Sequence, residues 1–431
     1  MLGYRQIELE KNKKKKSISD KNLIELSYDT KHSSEESDML NSYYNEKVVG
    51  LQGVKIKNVE NSEKEMRIEL EMGRRTHRCP ACGQQTDRIH DYRKQIVKDL
   101  NSFGKSVFLI LRKRRYVCSC GKRFFEENTF LSRYQRMTSR KIAGIIASLG
   151  KCRSYTSVSE EQDVSVTTVI RLFNHVQYPK PKHLPTALGI DEFKGNSGGE
   201  KFHCILTDLE TGKVVDILKT RYKHDLYDYF KRFSREERAK VRYFVSDMYQ
   251  TYADIAKTWF PNATYIIDKY HWVRQVSFAF ERVRKDIQKK FSKSHRIYFK
   301  HSRNLLLKRW KDLTDEQKQQ VNVMLYASAE LSTAYFLKEQ LYQILDEVPS
   351  DKFEESLRSW IEDAHHSDID SFVKCALTYR HWFAPIVQSF RHKYSNGFTE
   401  GCNNKIKVLK RTSYGLQNFR RFRSRILYIF Q

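Results

Sequence analysis

Three apolar segments in succession each run into an acid: TALGID into Asp191, VRYFVSD into Asp247 and ATYIID into Asp268. Between the first and second, KFHCILTDLETGKVVDILKT reads as a hairpin turning at Glu210-Thr211-Gly212-Lys213, and HDLYDYFKRFSREERAK as one helix. Between the second and third, TYADIAKTWF reads as another helix. The order strand, hairpin, helix, strand, helix, strand predicts an α/β layer on a mixed sheet. Carboxylates that end neighbouring strands converge on one edge of such a sheet. A single acid there is an ordinary solvated strand end; three in a row are a pattern. Carboxylate oxygens are hard ligands suited to Mg²⁺, which binds phosphate oxygens as well. Two such ions about 4 Å apart activate a nucleophile and stabilise the leaving oxygen of a phosphodiester.

A fourth acid stands far downstream. Glu400 lies in SNGFTEGCNNKIKVLKR, at the approach to a helix that carries Lys405, Lys407, Lys410 and Arg411. An acid near a helix N-terminus is favoured by the dipole alone. The alternative makes Glu400 a metal ligand set in a basic surface, with those four cations neutralising DNA phosphates. Asp268 and His271 fall three residues apart and share a face if a helix begins there.

Charge supports a polyanionic partner. Lys and Arg number 79 against 52 Asp and Glu among 431 residues, a formal charge of +27, so nucleic acid is the expected partner. No apolar run reaches the ~18 residues of a spanning helix, and the start MLGYRQIELEKNKKKK has no apolar signal core. A cytosolic, soluble protein is expected, with no membrane partner. Residues 1–47 are polar and charged and read as a disordered extension, with a basic DNA-binding arm as the alternative.

Eight cysteines are present, four of them in two close pairs: Cys79 and Cys82 in CPACG, Cys118 and Cys120 in CSCGK. Clustered thiols in such a chain point to metal rather than to disulfides. Four thiolates form a closed structural Zn²⁺ site, and the glycine after each pair allows a tight knuckle. The short C-x-C pair leaves His77 or His90 open as a substitute ligand. Before the second pair runs the basic cluster Arg112, Lys113, Arg114 and Arg115, whose four cations are candidate DNA-binding residues. Residues 138–178 read as helices, with SYTSVSEEQDVSVTTVIRLFNHV giving helix, turn, helix. Asp163 and Ser165 offer start chemistry for the second helix, whose Thr167, Thr168 and Arg171 are candidate groove-facing residues.

Six ordered stretches, CPACG with RIHDYR, RKRRYVCSCGKRFFEENTF, LGIDEFKG, FVSDMYQTY, YIIDKYHWVRQV and SNGFTEGCNNKIKVLKR, together resemble the ISL-three family of bacterial insertion-sequence transposases. The resemblance runs from about residue 48 to the end. It implies an α+β multidomain chain: a small zinc-binding β module, a helix-turn-helix, and a ribonuclease-H-like α/β catalytic core interrupted by a largely helical insertion. The corresponding division is 1–47 extension, 48–130 zinc module, 131–182 helix-turn-helix, 183–274 first part of the core, 275–392 insertion and 393–431 last part of the core. It further implies that Asp191, Asp247 and Glu400 are the catalytic acids and hold two Mg²⁺ ions, with Mn²⁺ able to substitute. Asp268 and His271 take a supporting role, and Cys79, Cys82, Cys118 and Cys120 hold zinc. The implied activity is DNA cleavage and strand transfer on double-stranded terminal inverted repeats and target DNA, by a homodimer assembled on DNA. Two other classes stay open on the residues alone: a regulator that binds DNA without cutting it, and a structure-specific nuclease that cuts without joining.

Overall fold

The computed structural model describes residues 49–300 and 302–431; the expectation for residues 1–47 lies outside them. The chain divides after Lys141 into two compact units.

The first unit is built on a five-stranded sheet. Strands β1 (Val54–Asn61), β2 (Glu65–Met72), β6 (Lys105–Val117) and β5 (Ile89–Ser102) lie in that order, and β7 (Arg123–Phe125) pairs with β6. Alternation puts Val107, Leu109 and Leu111 of β6 into one core with Val54, Ile68, Leu70 and Val97. Past Leu111 the buried positions of β6 shift to Arg114 and Tyr116. The same strand thus serves an apolar core at its start and a polar one at its end. At that end a small ribbon, β3 (His77–Arg78) with β4 (Gln85–Thr86), carries the first cysteine pair.

The second unit contains most of α1 (Ser139–Leu149), then α2 (Tyr155–Gln162) and α3 (Val166–Phe173). Ser154 and Ser165 cap α2 and α3 through their side chains. Asp163 does not start α3; it ends α2 in the left-handed region (φ 48°), a conformation Asp tolerates.

A second five-stranded sheet follows, ordered β10 (Lys213–Leu218), β9 (Glu200–Asp208), β8 (Ala187–Ser197), β11 (Tyr243–Ser246), β12 (Thr264–Ile267). The first three run antiparallel, and β11 pairs in parallel with both β8 and β12. The stretch expected as one helix is two, α4 (Lys223–Lys231) and α5 (Arg235–Ala239), because Ser234 caps a new start. Helix α6 (Gln250–Trp259) joins β11 to β12. Leu188, Ile190, Leu206, Leu226, Phe230, Phe244 and Tyr252 form the core beneath the sheet.

From α7 (Lys269–Lys290) the chain is helical: α8 (Lys293–Lys300), α9 (Arg303–Leu307), α10 (Asp315–Tyr326), α11 (Ala329–Glu347), α12 (Phe353–His365), α13 (Asp370–His381) and α14 (Phe383–Arg391). These helices bury their own core around Trp272, Trp360 and Tyr379. Each of the three also donates a hydrogen bond inside it: Trp360 to the Leu337 carbonyl at 2.8 Å, Tyr379 to the Trp272 carbonyl at 2.7 Å, Trp272 to Ser389 at 2.9 Å. Helix α15 (Gly397–Thr412) then returns to β8 and β9, and α16 (Phe419–Ile429) closes the chain against β10. Among the described residues no helix is long and apolar enough to cross a membrane.

Candidate active site and zinc ribbon

Strand register explains how the first acids meet. Gly189 of β8 pairs with Val245 of β11, and Ser246 of β11 with Ile267 of β12. Continuing those registers sets Asp191, Asp247 and Asp268 abreast, past the ends of the parallel pairing. Asp191 does not end its strand as expected. Strand β8 runs on to Ser197 against β9, and Asp191 sits just beyond the point where β8 loses β11 as a partner. The acid is therefore held by regular strand on one side and open on the other.

Burial dominates the electrostatics. It pushes Asp191 up to about 6, helped by the Asp247 charge, while the amide of Glu192, donating at 2.7 Å, pulls the other way. Asp247 is likewise pushed up to about 6 by burial and by the charge of Glu192, with Arg221 opposing. One carboxylate oxygen of Asp247, Oδ1, is buried with no hydrogen-bond partner. An orphaned carboxylate oxygen beside a second carboxylate that resists ionisation offers a cation two hard ligands.

Glu400 enters from the far side of the helical excursion. It lies in the first turn of α15, and its carboxylate stands 3.6 Å from His271 Nε2 on α7. The charge of His271 in turn reaches Asp191. Asp191, Asp247 and Glu400 are not drawn within 4.8 Å of one another, a spacing that among the described residues only the four cysteines reach. Asp268 sends its charge to Asp247 but is itself engaged by backbone amides. It caps α7 through the Tyr270 amide at 3.0 Å and accepts the Asn396 amide at 2.6 Å, so it fixes the loop that delivers α15.

Three contributors were not singled out by sequence. Asn403, one turn beyond Glu400, is buried; its Nδ2 donates to Asp191 Oδ2 at 2.7 Å, and its own Oδ1 has no partner. Asn396 donates to the Ile190 carbonyl at 3.1 Å, locking the same loop to β8. Arg221 Nη1 lies 2.7 and 2.6 Å from the two oxygens of Glu192, the acid next to Asp191. The asparagines stand in the SNGFTEGCNN stretch, but nothing local says that they reach β8.

The cysteines meet in the first unit. Cys79 Sγ lies 3.6 Å from Cys120 Sγ and Cys82 Sγ 3.5 Å from Cys118 Sγ, all four within 4.8 Å of one another. A tetrahedral zinc with bonds of about 2.3 Å sets its sulfurs about 3.8 Å apart, so the donor set and spacing fit structural Zn²⁺. Each pair sits on a tight turn: Gly83 (φ 75°) donates to the Cys79 carbonyl and Gly121 (φ 82°) to the Cys118 carbonyl, both at 2.9 Å. Neither histidine is needed. His77 packs on the Tyr116 ring, and His90 pairs with Asp91.

The basic residues split between surface and interior. Arg112 and Arg115 reach solvent, and Lys113 is half-buried over the Phe125 ring. Arg114, expected to face DNA, is only 6 % exposed and held by Glu126, Glu71 and the Met72 carbonyl; it is a structural cation of the polar core. On α15, Lys407 and Arg411 are exposed. Lys405 bonds the Ile429 carbonyl at 2.6 Å, and Lys410 the Lys194 carbonyl. On α3, Thr167 and Arg171 are exposed, while the Thr168 hydroxyl joins the Ser165 cap.

A zinc-type knuckle, a capped helix-turn-helix and an acid-edged mixed sheet define a DNA-handling protein. Comparison with known proteins makes this specific. A transposase family model matches residues 188–426, a model for the zinc-finger of the IS204/IS1001/IS1096/IS1165 transposases matches 75–120, and one for the helix-turn-helix domain of transposase family ISL3 matches 126–177. The transposase for insertion sequence element IS1001 of Bordetella parapertussis is 26 % identical over 392 residues, covering 88 % of this chain and 96 % of that protein. The transposase for IS1557 of Mycobacterium tuberculosis is 23 % identical over 301 residues, 63 % of this chain and 67 % of that one. The chain belongs to the ISL3 family of insertion-sequence transposases.

Proposed function

We propose that this transposase cuts DNA at the terminal inverted repeats of its element and joins the freed end to target DNA, using Asp191, Asp247 and Glu400. The observation that carries the reading is the half-buried pair on adjacent strands: Asp191 and Asp247 both pushed up to about 6, one oxygen left unpartnered, and Glu400 beside His271, whose charge reaches Asp191. On this reading the sheet is a ribonuclease-H-like core and residues 275–392 its helical insertion. The zinc module and helix-turn-helix select the element's ends, and two copies assemble on the paired ends.

Divalent cations held by the three acids, two Mg²⁺ or Mn²⁺, would supply Lewis acidity for the attacking and leaving oxygens. The chain's own residues do the rest. Asn403 holds one Asp191 oxygen and the Glu192 amide the other, which fixes the orientation of the carboxylate. Asp268 and Asn396 fix the loop from which Glu400 projects. Exposed Lys407 and Arg411 lie farther along the same helix, where a phosphate backbone passing the acids meets them. Cleavage adds water across one P–O3′ bond, leaving a 3′-hydroxyl and a 5′-phosphate. In joining, that hydroxyl attacks a target phosphodiester and displaces the target's own 3′ oxygen.

The test is a set of single variants, Asp191→Asn, Asp247→Asn and Glu400→Gln, assayed on duplexes carrying the element's ends. Each is expected to lose cleavage by at least about a thousandfold, more than one missing electrostatic contact costs, while end binding stays within a fewfold of wild type. Full cutting by any one variant removes that residue from the site. Wild-type protein that binds without cutting is a regulator, and one that cuts without joining is a nuclease.

A further inference from the structure

The last helix meets the helix-turn-helix in a way the proposed chemistry does not use. A groove of about 300 Å³ runs between the segment just after the recognition helix α3, at Asn174 and Gln177, and the first two turns of α16, at Arg420, Arg421 and Ser424. Its walls are polar and cationic. Arg420 is exposed and makes no hydrogen bond or ion pair among the described residues. Arg421 is steered into place by its Nε bond to Asn174 Oδ1 at 3.1 Å, which leaves its terminal nitrogens free. Ser424 lines the groove at 7 % exposure, and its hydroxyl has no hydrogen-bond partner among the described residues. The Asn418 side chain caps the Arg421 amide at 3.0 Å, and the remaining first-turn amides point out of the same helix end. Two guanidinium groups, the Ser424 hydroxyl and an amide-bearing helix end together fit a phosphate ester.

The groove is also rigidly tied to the recognition helix. Arg425, next along α16, is 1 % exposed and donates to the Leu149 carbonyl at 2.7 Å and the Arg153 carbonyl at 2.8 Å, in the segment that leads into α2. Its guanidinium packs against Tyr155 and Phe173, and Tyr428 meets Phe173 edge-on. Helices α2, α3 and α16 therefore form one packed body, with the groove at the end of the α3 stripe that starts at Thr167 and passes Arg171.

We infer that Arg420, Arg421 and Ser424 form a seat for one backbone phosphate of the duplex that α3 reads, so that the final helix of the catalytic region is itself part of the DNA-recognition surface. The inference rests on the reading that α3 lies on duplex DNA. Base-edge contacts specify sequence, and phosphate contacts set register. A seat on α16 would fix the register of α3 relative to the sheet that α16 also packs against.

The experiment uses full-length protein, a duplex bearing the element's terminal repeat and an unrelated duplex of equal length. Arg420→Gln should weaken binding to both by about tenfold, the worth of a charged hydrogen bond. It should also lower the slope of log K against log salt by about 0.9, one released counterion. Ser424→Ala should weaken both duplexes while leaving that slope unchanged. A wild-type slope in Arg420→Gln, or a loss confined to the terminal repeat, overturns the seat. Inorganic phosphate that raises Tm in an Arg420-dependent way at fixed ionic strength, with the DNA salt slope unmoved by the substitution, makes this a free-anion site and overturns the duplex assignment. Wild-type protein that binds neither duplex removes the proposed function, and the seat with it; binding without cleavage leaves the seat standing.

Discussion

Asp191 and Asp247 carry a measurable sign. Their folded values near 6 lie above the ordinary carboxylate value of 3.8, so the unfolded chain gives up these protons first. Their contribution to stability is greatest below about pH 4 and falls as pH rises towards 6, at a limiting slope on the order of 1.4 kcal/mol per group for each pH step of about one. At pH 7.5 without divalent metal, the two half-buried, partly desolvated charges strain the fold. Metal-free Asp191→Asn should therefore melt higher than wild type at pH 7.5, and the gap should close at pH 4. Mg²⁺ or Mn²⁺ should raise Tm of the wild type at pH 7.5 and leave the variant nearly unmoved. A variant that melts lower at both pH values would mean that Asp191 is a structural acid. Sequence pointed to these acids, because a strand that ends in a carboxylate is a local pattern. It could not show Asn403, whose bond to Asp191 joins residues on opposite sides of the insertion. It also offered Arg114 to DNA, since burial of a cation depends on Glu71 and Glu126 arriving from other segments.

At the scale of elements, the return of α15 depends on a close approach at Gly189. A Cβ there would stand 2.5 Å from Thr207 Oγ1, 2.9 Å from Leu209 Cδ2 and 3.1 Å from Asn396 Oδ1. The absent side chain lets Asn396 dock on β8 and bond the Ile190 carbonyl. Gly189→Ala should cost about 1–3 kcal/mol by overpacking and displace the loop that feeds Glu400. Denaturant unfolding should register that loss, and cleavage should fall much further than DNA binding. Unchanged cleavage would show that the loop tolerates the shift. The glycine of LGID is visible in the sequence, but its reason is a side chain from a segment far downstream. Strand length is likewise set by pairing. Strand β8 continues past Asp191 because β9 stays with it, and periodicity cannot see a partner. The single helix expected over HDLYDYFKRFSREERAK is two, and here the local signal, Ser234 followed by Glu237, was present and outweighed by the apolar spacing around it.

For the whole molecule, a formal charge of +27 on 431 residues makes the salt response a direct test of the partner. Binding to duplex DNA through roughly six or more phosphates should weaken by about a thousandfold or more between about 50 and 200 mM salt. A flat response would count against a basic DNA tract. Local chemistry alone determined a good deal of this protein. Cysteine pairs with knuckle glycines, serine caps on the helix-turn-helix, acids after apolar strands and the cationic excess are each written in a few adjacent residues, because turns, caps and formal charge are short-range properties. Tertiary structure decided the rest: which cations stay on the surface, which asparagines hold the acids, and that the final helix shares a body with the recognition helix through buried Arg425. Those outcomes depend on desolvation and on hydrogen bonds between segments far apart in the chain, whose energies exist only once the chain has closed on itself.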